Sequence, residues 1–174
     1  MTMAPRTSRT GALGQRMTVD AFLADSVASP GDGKVYIQGG GWTMITTQNL
    51  PTRHSRIGLT ALIKVPYLLA NNEPHNFSVH LEDADNNVLP LGDAPAGTPT
   101  ADGKLRRIGA DFAVGRPVGI EAGDDQMVVI AINLDGLIFE RAGTHSFVIQ
   151  IDGEEAKRLR FRVNLVTAPK VNIG

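Results

Sequence analysis

The chain contains no cysteine. It therefore has no disulfide, no thiolate metal ligand and no cysteine nucleophile, and we expect it to act in a reducing compartment, the cytoplasm. Aromatic residues make up only 5% of the sequence, with one tryptophan and two tyrosines. A carbohydrate-binding face normally needs several exposed rings, so this scarcity argues against such a face.

An excess of charge of one sign is also lacking. The formal net charge of -1 gives no electrostatic reason to expect nucleic acid or an anionic membrane as a partner. No apolar run is long enough to span a bilayer, and the start of the chain lacks the continuous apolar core of a secretory signal. With 174 residues the chain fits one domain with a core of its own. We expect a soluble protein.

Two short β-like runs meet across three consecutive glycines and the single tryptophan, between positions 34 and 46. Glycine inside a strand pattern marks a bulge, a bend or a close backbone approach. Gly39, Gly40 and Gly41 therefore predict a corner between sheets. Trp42 would then cover the end of the core. The alternative interpretation is a ligand site, in which Gly40 and Gly41 clear space and Trp42 stacks on the ligand.

Alternation of apolar and polar residues recurs along the chain and predicts strands. The clearest segments are 57–65, 77–81, 147–151 and 159–165, the last two forming a hairpin. Residues 127–134 are almost continuously apolar, which predicts a central strand covered on both faces. Roughly eight to ten short strands at this spacing predict an all-β fold, an antiparallel β-sandwich of immunoglobulin-like or jelly-roll-like type. A closed β-barrel is the alternative.

The sandwich domain is expected to occupy residues 18–167. Residues 1–17 are interpreted as a flexible basic tail and residues 168–174 as a short C-terminal tail. Inside the domain, residues 92–104 are rich in glycine and proline and form the longest segment without a strand pattern. This segment is the candidate binding loop, and its residues Asp102 and Lys104 are candidates for contact with a partner. Residues 48–55 are predicted as a second, polar loop.

Arg158, Arg160 and Arg162 fall on one face of the closing strand, opposite its apolar face. There are two interpretations, of which the second is favoured. The arginines could bind an acidic partner or a polyanion, or they could form a solvated outer face paired with Glu154, Glu155 and neighbouring carboxylates. In an edge strand they would also discourage edge-to-edge aggregation.

Asp83, Asp85 and Asn87 alternate across a predicted turn and could supply oxygen ligands to calcium. The same residue types favour turns through hydrogen bonds from side chain to backbone. Because the glycine and the terminal glutamate of a recognised calcium loop are missing, the turn interpretation is favoured. No cofactor is expected.

No set of residues in the sequence indicates a catalytic centre. The histidines lack the His-x-His pair of a cupin metal centre. His75 and His80 are predicted on opposite faces of one strand, with His80 outward, and His145 is in phase with the inward face of another. A Gly-x-Ser-x-Gly elbow and a phosphate loop are also missing. We therefore expect a protein that is not an enzyme.

Several motifs occur in a recognisable order. They are Phe22-x-x-Asp25, Gly39-Gly40-Gly41-Trp42, the segment 77–85, Gly115-Arg116-Pro117, Gly143-Thr144-His145-Ser146-Phe147, Asp152-Gly153 and Phe161-Arg162-Val163. Together they resemble an uncharacterised family of small β proteins, a domain of unknown function associated with actinobacteria and related soil bacteria. Gly-Gly-Gly-Trp is the most specific motif, whereas at His145 the family would have a tyrosine. The resemblance implies a sandwich over residues 18–166 and brings no activity.

Two functional hypotheses follow. The first is a non-enzymatic protein-interaction or scaffold module, which presents the 92–104 loop, the glycine corner or an exposed strand to another protein or to a second copy of itself. The second is a small-ligand or carbohydrate-binding sandwich that uses Trp42 with loop carboxylates and amides, with or without calcium. The sequence does not select the biological process.

Overall fold

The computed structural model describes residues 16–167, so the predicted C-terminal tail and all but the last two residues of the predicted N-terminal tail lie outside the described part. Within residues 16–167 the chain is all-β, with one 3-10 turn at Tyr67–Leu69. No helix in this range is long and apolar enough to cross a membrane. The strands are β1 (Thr18–Ala24), β2 (Ser26–Ala28), β3 (Tyr36–Gln38), β4 (Met44–Thr47), β5 (Thr52–Val65), β6 (Pro74–Glu82), β7 (Val88–Leu89), β8 (Gly92–Asp93), β9 (Lys104–Leu105), β10 (Arg107–Ala113), β11 (Gln126–Phe139), β12 (Gly143–Ile151) and β13 (Glu154–Leu165).

Most strands belong to two sheets. The smaller sheet has the order β1-β5-β11, and the larger has the order β10-β6-β12-β13-β4, with β7 paired to β6 beside this path. Two short ribbons pair β2 with β3 and β8 with β9. Neighbouring strands are antiparallel except β13 and β4, which are parallel. Neither sheet closes on itself within the described residues, so they do not form the closed barrel considered as the alternative.

The two sheets bury one common core because each directs alternate apolar side chains towards it. On β5 the predicted alternation is confirmed, since its inward residues have no exposed surface. These residues are Ile57, Leu59, Ala61, Ile63 and Val65. The larger sheet contributes Phe77, Val79, Leu81, Phe147, Ile149, Phe161 and Val163, as their alternation predicted.

The prediction that residues 127–134 form a central strand is wrong. These residues belong to β11, which lies at the edge of the smaller sheet and, among the strands of residues 16–167, pairs with β5 alone. Its inward side chains Val128, Ile130 and Ile132 are only half-buried. The continuous apolar character of β11 therefore does not reflect cover on both faces.

The two predicted loops are shorter than expected. β5 begins at Thr52, so half of the polar segment 48–55 is strand, paired with the end of β11. The segment 92–104 is not structureless, because its two ends pair as the β8–β9 ribbon. Backbone hydrogen bonds from Leu91 to Leu105 and from Ala94 to Gly103 extend that ribbon on both sides.

Candidate functional site

A buried polar cluster lies on the outer face of the larger sheet. Ser78, His80 and Glu82 point away from the core, as the alternation of β6 predicted, yet they are only 4%, 4% and 9% exposed. Strands β10 and β12 flank β6 on both sides, and His80 lies between Arg107 and Val148 in the ladder. The side chains of Arg107 and Arg158 donate to Ser78 and Glu82, so arginines contact polar groups that the sequence pattern alone places in water.

The buried charges in this cluster are paired. Glu82 Oε1 lies 2.8 Å from His80 Nε2, and Arg158 Nη1 donates to Glu82 Oε2 at 2.6 Å. Arg158 also donates from Nε and Nη2 to the two carboxylate oxygens of Glu155, at 3.0 and 2.8 Å. Burial raises the pKa of Glu82, but the hydrogen bonds from Arg158 and His80 outweigh it, so that this pKa lies below its ordinary value. Glu82 and Arg158 are therefore an ion pair.

The arginine stripe predicted from the sequence shares one face, but its three members differ. Arg158 is half-buried and held by two carboxylates, whereas Arg160 and Arg162 are exposed. Neither exposed arginine forms an ion pair with a carboxylate of residues 16–167. Pairing with neighbouring carboxylates thus describes Arg158 alone. Beside Arg162 lies Met44 of the edge strand β4, which is also exposed.

The glycine corner has the predicted topology, because it connects β3 of the small ribbon to β4 of the larger sheet. Gly39 and Gly41 have φ angles of 62° and 91°, which other residues rarely adopt. The N–H of Gly41 donates to the carbonyl of Leu23 at 2.8 Å. Ile37 and the other residues of β3 are exposed, because the one strand of residues 16–167 that pairs with β3 is the three-residue β2.

Trp42 is half-buried and packs against the core. Its ring meets Phe161 edge-on, with 6.0 Å between centroids, and lies 6.2 Å from the ring of His54. The indole Nε1 is buried and has no hydrogen-bond partner within residues 16–167. His145 lies in the same aromatic cluster, inward as predicted, and stacks on Phe161. The indole therefore packs against the rings of Phe161 and His54 at the edge of the core, as the prediction that Trp42 covers the end of the core requires.

The predicted contact residues of the 92–104 segment bind neighbours within that segment or next to it. Asp102 accepts two hydrogen bonds from Arg106, and the Arg106 side chain holds the pKa of Asp102 well below its usual range. Lys104 Nζ donates to Asp93 at 2.7 Å, across the β8–β9 ribbon. Asp102 and Lys104 therefore form ion pairs that stabilise the β8–β9 ribbon and its flank.

The turn predicted as a possible calcium site is closed by its own hydrogen bonds. Asp83 Oδ1 accepts the backbone N–H groups of Asp85 and Asn87, each at 2.9 Å, and the side-chain amide of Asn87 donates to Asp83 Oδ2 at 3.0 Å. The hydrogen bonds from Asn87 lower the pKa of Asp83. No group of three or more His, Cys, Asp or Glu side chains in residues 16–167 is placed to hold a metal ion.

An apolar patch on the outer face of the smaller sheet was missed by the sequence analysis. Phe22 on β1 and Met127 on β11 are 45% and 52% exposed. Between them lie three half-buried side chains, Leu62, Val129 and Ala131. The ladder places Phe22 and Ala131 on either side of Thr60, and Leu62 beside Val129. The signal was present in the apolar run of β11, but only the sheet order shows that this run is at an edge.

The open edge of β11 adjoins this patch. From Gln126 to Leu134 the strand carries no charged residue, and within residues 16–167 no strand pairs with its free side. An ion pair closes each end of the uncharged stretch. Lys64 Nζ lies 2.8 Å from Asp125 Oδ2, and Arg56 Nε lies 2.6 Å from Asp135 Oδ1.

Similar structures are remote. One is Pseudomonas fluorescens alkylpurine DNA glycosylase AlkC bound to DNA containing an abasic site analog, with 11% sequence identity and a TM-score of 0.41 over 87% of this chain. Another is the β-glucosidase from Listeria innocua in complex with glucose, with 11% identity and a TM-score of 0.41 over 88% of this chain. The chain spans only 31% and 16% of the lengths of these two proteins, and such likeness carries no functional argument.

No curated protein sequence matches the chain. Residues 19–164 match the model of a family of unknown function, DUF6941, which confirms the expected uncharacterised domain. Two finer points stay predictions: that the family is associated with actinobacteria, and that Gly-Gly-Gly-Trp is a motif of the family. Since the family model covers most of the sequence, the chain belongs to DUF6941.

Proposed function

We propose that the protein is a non-enzymatic interaction module, a β-sandwich whose edge strand β11 binds an extended strand of a partner. The observation that carries this proposal is the uncharged edge between Gln126 and Leu134, with whose free side no other strand of residues 16–167 pairs. An exposed sheet edge offers a row of backbone N–H and C=O groups, and strand addition at such an edge is a common mode of peptide recognition.

Natural sheets usually protect long edges with charges, proline, bulges or a covering segment. Of the other edge strands, β4 is uncharged but has only four residues, whereas β1 and β10 contain Asp20, Arg107 and Asp111. The central part of β11 contains no such residue, although it is one of the two longest strands, with 14 residues. A partner strand would satisfy its backbone groups and cover Met127 and Val129.

The test is selection of displayed extended peptides on the immobilised protein. Val129→Lys places a charge on the outer face of β11, and Thr46→Lys places one on the exposed edge strand β4 as a matched control. We expect selected peptides to keep their affinity for Thr46→Lys and to lose about tenfold for Val129→Lys, which corresponds to about 1.4 kcal/mol. Peptides that bind all three proteins equally would contradict the proposal.

A second candidate is an acidic partner at the arginine face. It is favoured by the two exposed side chains Arg160 and Arg162, which have no carboxylate partner within residues 16–167. Reversing both charges to Glu should abolish binding of an acidic peptide without lowering the melting temperature. Arg158 has to remain, because it holds the buried Glu82. Unchanged binding in the doubly reversed variant would remove this candidate.

The small-ligand or carbohydrate hypothesis has less support. It relied on Trp42 as a stacking platform, and the indole is half-buried against Phe161. Loop carboxylates that were to assist it are engaged, Asp102 with Arg106 and Asp83 with Asn87. For the interaction module we also propose a cytoplasmic location, because a chain without cysteine suits a reducing compartment.

A further inference from the structure

We propose that the partner of β11 is β11 of a second copy of this chain, paired antiparallel about a two-fold axis at Ile130. This inference rests on the proposed strand addition and names its partner. The combined ladder would join two smaller sheets into one continuous sheet in the order β1-β5-β11-β11-β5-β1.

The distribution of charge along β11 carries the proposal. The uncharged stretch runs from Gln126 to Leu134, and its midpoint is Ile130. An aspartate flanks the stretch on each side, Asp125 before it and Asp135 after it. Antiparallel pairing centred on the midpoint lays the whole uncharged stretch against the same stretch of the second copy. It therefore brings Asp125 of one copy to Asp135 of the other.

Such an encounter of aspartates would be repulsive if they were unpaired, but each already has its own cation. Lys64 binds Asp125 at 2.8 Å, and Arg56 binds Asp135 through two hydrogen bonds of 2.6 and 3.1 Å. The hydrogen bond and charge of Arg56 lower the pKa of Asp135, and Asp135 in turn raises the pKa of Arg56. The hydrogen bond and charge of Asp125 raise the pKa of Lys64. At each end, the joint ladder would place the Lys64–Asp125 pair of one copy beside the Arg56–Asp135 pair of the other. Each of these ion pairs is neutral, and the two-fold axis makes their arrangement self-complementary.

The side chains match across the same register. Opposite residues of an antiparallel pair point to one face of the sheet. A register centred on Ile130 sets Val128 against Ile132 on the inner face and Val129 against Ala131 on the outer face. The inner residues are half-buried in the single chain, and the outer ones belong to the apolar patch. A shift by one residue would oppose inner to outer side chains.

A second copy satisfies both unpaired edges at once, because a two-fold axis uses the same surface on both partners. An unrelated strand would have to reproduce the same charge-free length and the same neutral ends. The self-complementarity of the segment 125–135 therefore favours the second copy over another protein.

The absence of cysteine allows a direct test of the register. Single variants Val128→Cys, Ile130→Cys and Ile132→Cys are oxidised mildly, with Ala110→Cys on the exposed edge strand β10 as the control. Opposite Cα atoms in an antiparallel pair are about 4.5–5.5 Å apart, within disulfide range. Residue 128 of one copy would lie about 13 Å from residue 128 of the other. Only Ile130→Cys should become a covalent dimer.

A second measurement does not depend on cysteine. The full chain should sediment as a dimer at about 100 µM, where a complex with a Kd of about 1 µM is almost fully formed. Val129→Lys combined with Ala131→Lys should sediment as a monomer with an unchanged melting temperature. Both substitutions lie on the outer face, so the core is left intact.

The outcomes separate this inference from the proposed function. A chain that stays monomeric at about 100 µM overturns the inference, and so does a dimer that crosslinks best at position 110, 128 or 132. If that monomer still binds selected peptides at β11, the interaction module stands without self-pairing. A monomer that binds no peptide at β11 overturns both.

Discussion

Arg158 and Glu82 meet at 2.6 Å although 76 positions separate them in the sequence. They lie on β13 and β6, with β12 between these strands. The guanidinium reaches across β12 to a carboxylate that is almost fully buried, and His80 binds the other oxygen of the same carboxylate. On the face opposite the core, the pair therefore links β6 to β13 across the intervening strand β12.

Substitution Glu82→Gln should destabilise the protein by about 1–3 kcal/mol at pH 7, because it leaves Arg158 and His80 without the buried negative charge. The matched control Glu155→Gln removes a more exposed partner of the same arginine and should cost less than about 1 kcal/mol. Urea denaturation measures both changes. Equal losses in the two variants would show that burial of Glu82 is not decisive.

The effect of Glu82→Gln should also depend on pH. The pKa of Glu82 is lower in the folded than in the unfolded protein, so its contribution is present above the unfolded pKa of about 4.3. It is lost as the pH falls through the folded pKa. We expect the difference between wild type and variant to shrink below about pH 4. A difference that stays constant from pH 7 to that range would contradict the ion pair.

Most strands and their core-facing residues could be predicted from the sequence, but the order of the strands in the two sheets could not. The alternation of Ile57, Leu59 and Ile63 defines a core face whatever the neighbouring strands are, because a strand has a period of two. The apolar run of β11 is compatible with a central strand and with an exposed edge. The two are distinguished by the pairing of β11, which has β5 as its one hydrogen-bonded neighbour among the strands of residues 16–167.

Long-range pairing likewise determined which candidate site residues are engaged. Arg158, Arg160 and Arg162 are equivalent in the sequence pattern, but only Arg158 lies within reach of Glu82 on β6. The burial of His80 also depends on its neighbours on β10 and β12. Local turn chemistry was easier to predict, since the hydrogen bonds that close the Asp83 turn come from residues within four positions.

The stability of the protein should fall on acidification partly because of His145. Burial lowers the pKa of His145, an effect opposed by the carbonyl of Gly143 and the charge of Asp83. Below about pH 6.5 the unfolded chain therefore takes up a proton that the folded chain resists, and stability falls as the pH drops. The loss should end below the folded pKa, after about 1.4 kcal/mol for each unit of the difference.

The variant His145→Phe tests this expectation, because it keeps an aromatic ring against Phe139 and Phe161 and removes the titrating group. Urea denaturation at several values between about pH 5 and 8 should give a shallower pH dependence for the variant than for the wild type. Parallel curves would mean that His145 takes up its proton equally in both states.

The glycine corner should tolerate substitution unequally. Gly41 has a φ of 91°, and a Cβ there would meet no atom within 4 Å, so Gly41→Ala tests backbone conformation alone. It should cost about 1–2 kcal/mol. At Gly40 φ is not in the left-handed region, but a Cβ would lie 2.7 Å from Cγ2 of Ile37, an exposed side chain that has to change its rotamer to make room. Gly40→Ala should therefore cost about 0.5–1 kcal/mol. Equal costs in urea denaturation would contradict the role of φ.

Trp42 is the single tryptophan of the chain, so its fluorescence reports one site. Because the indole is half-buried against Phe161, its emission should be shifted to the blue of free tryptophan in water and should move to the red on unfolding. Phe161→Leu removes the facing ring and should shift the folded emission towards the red. Titration with sugars should leave the wild-type emission unchanged. A saturable change with a sugar would instead support the carbohydrate hypothesis and place its ligand at the glycine corner.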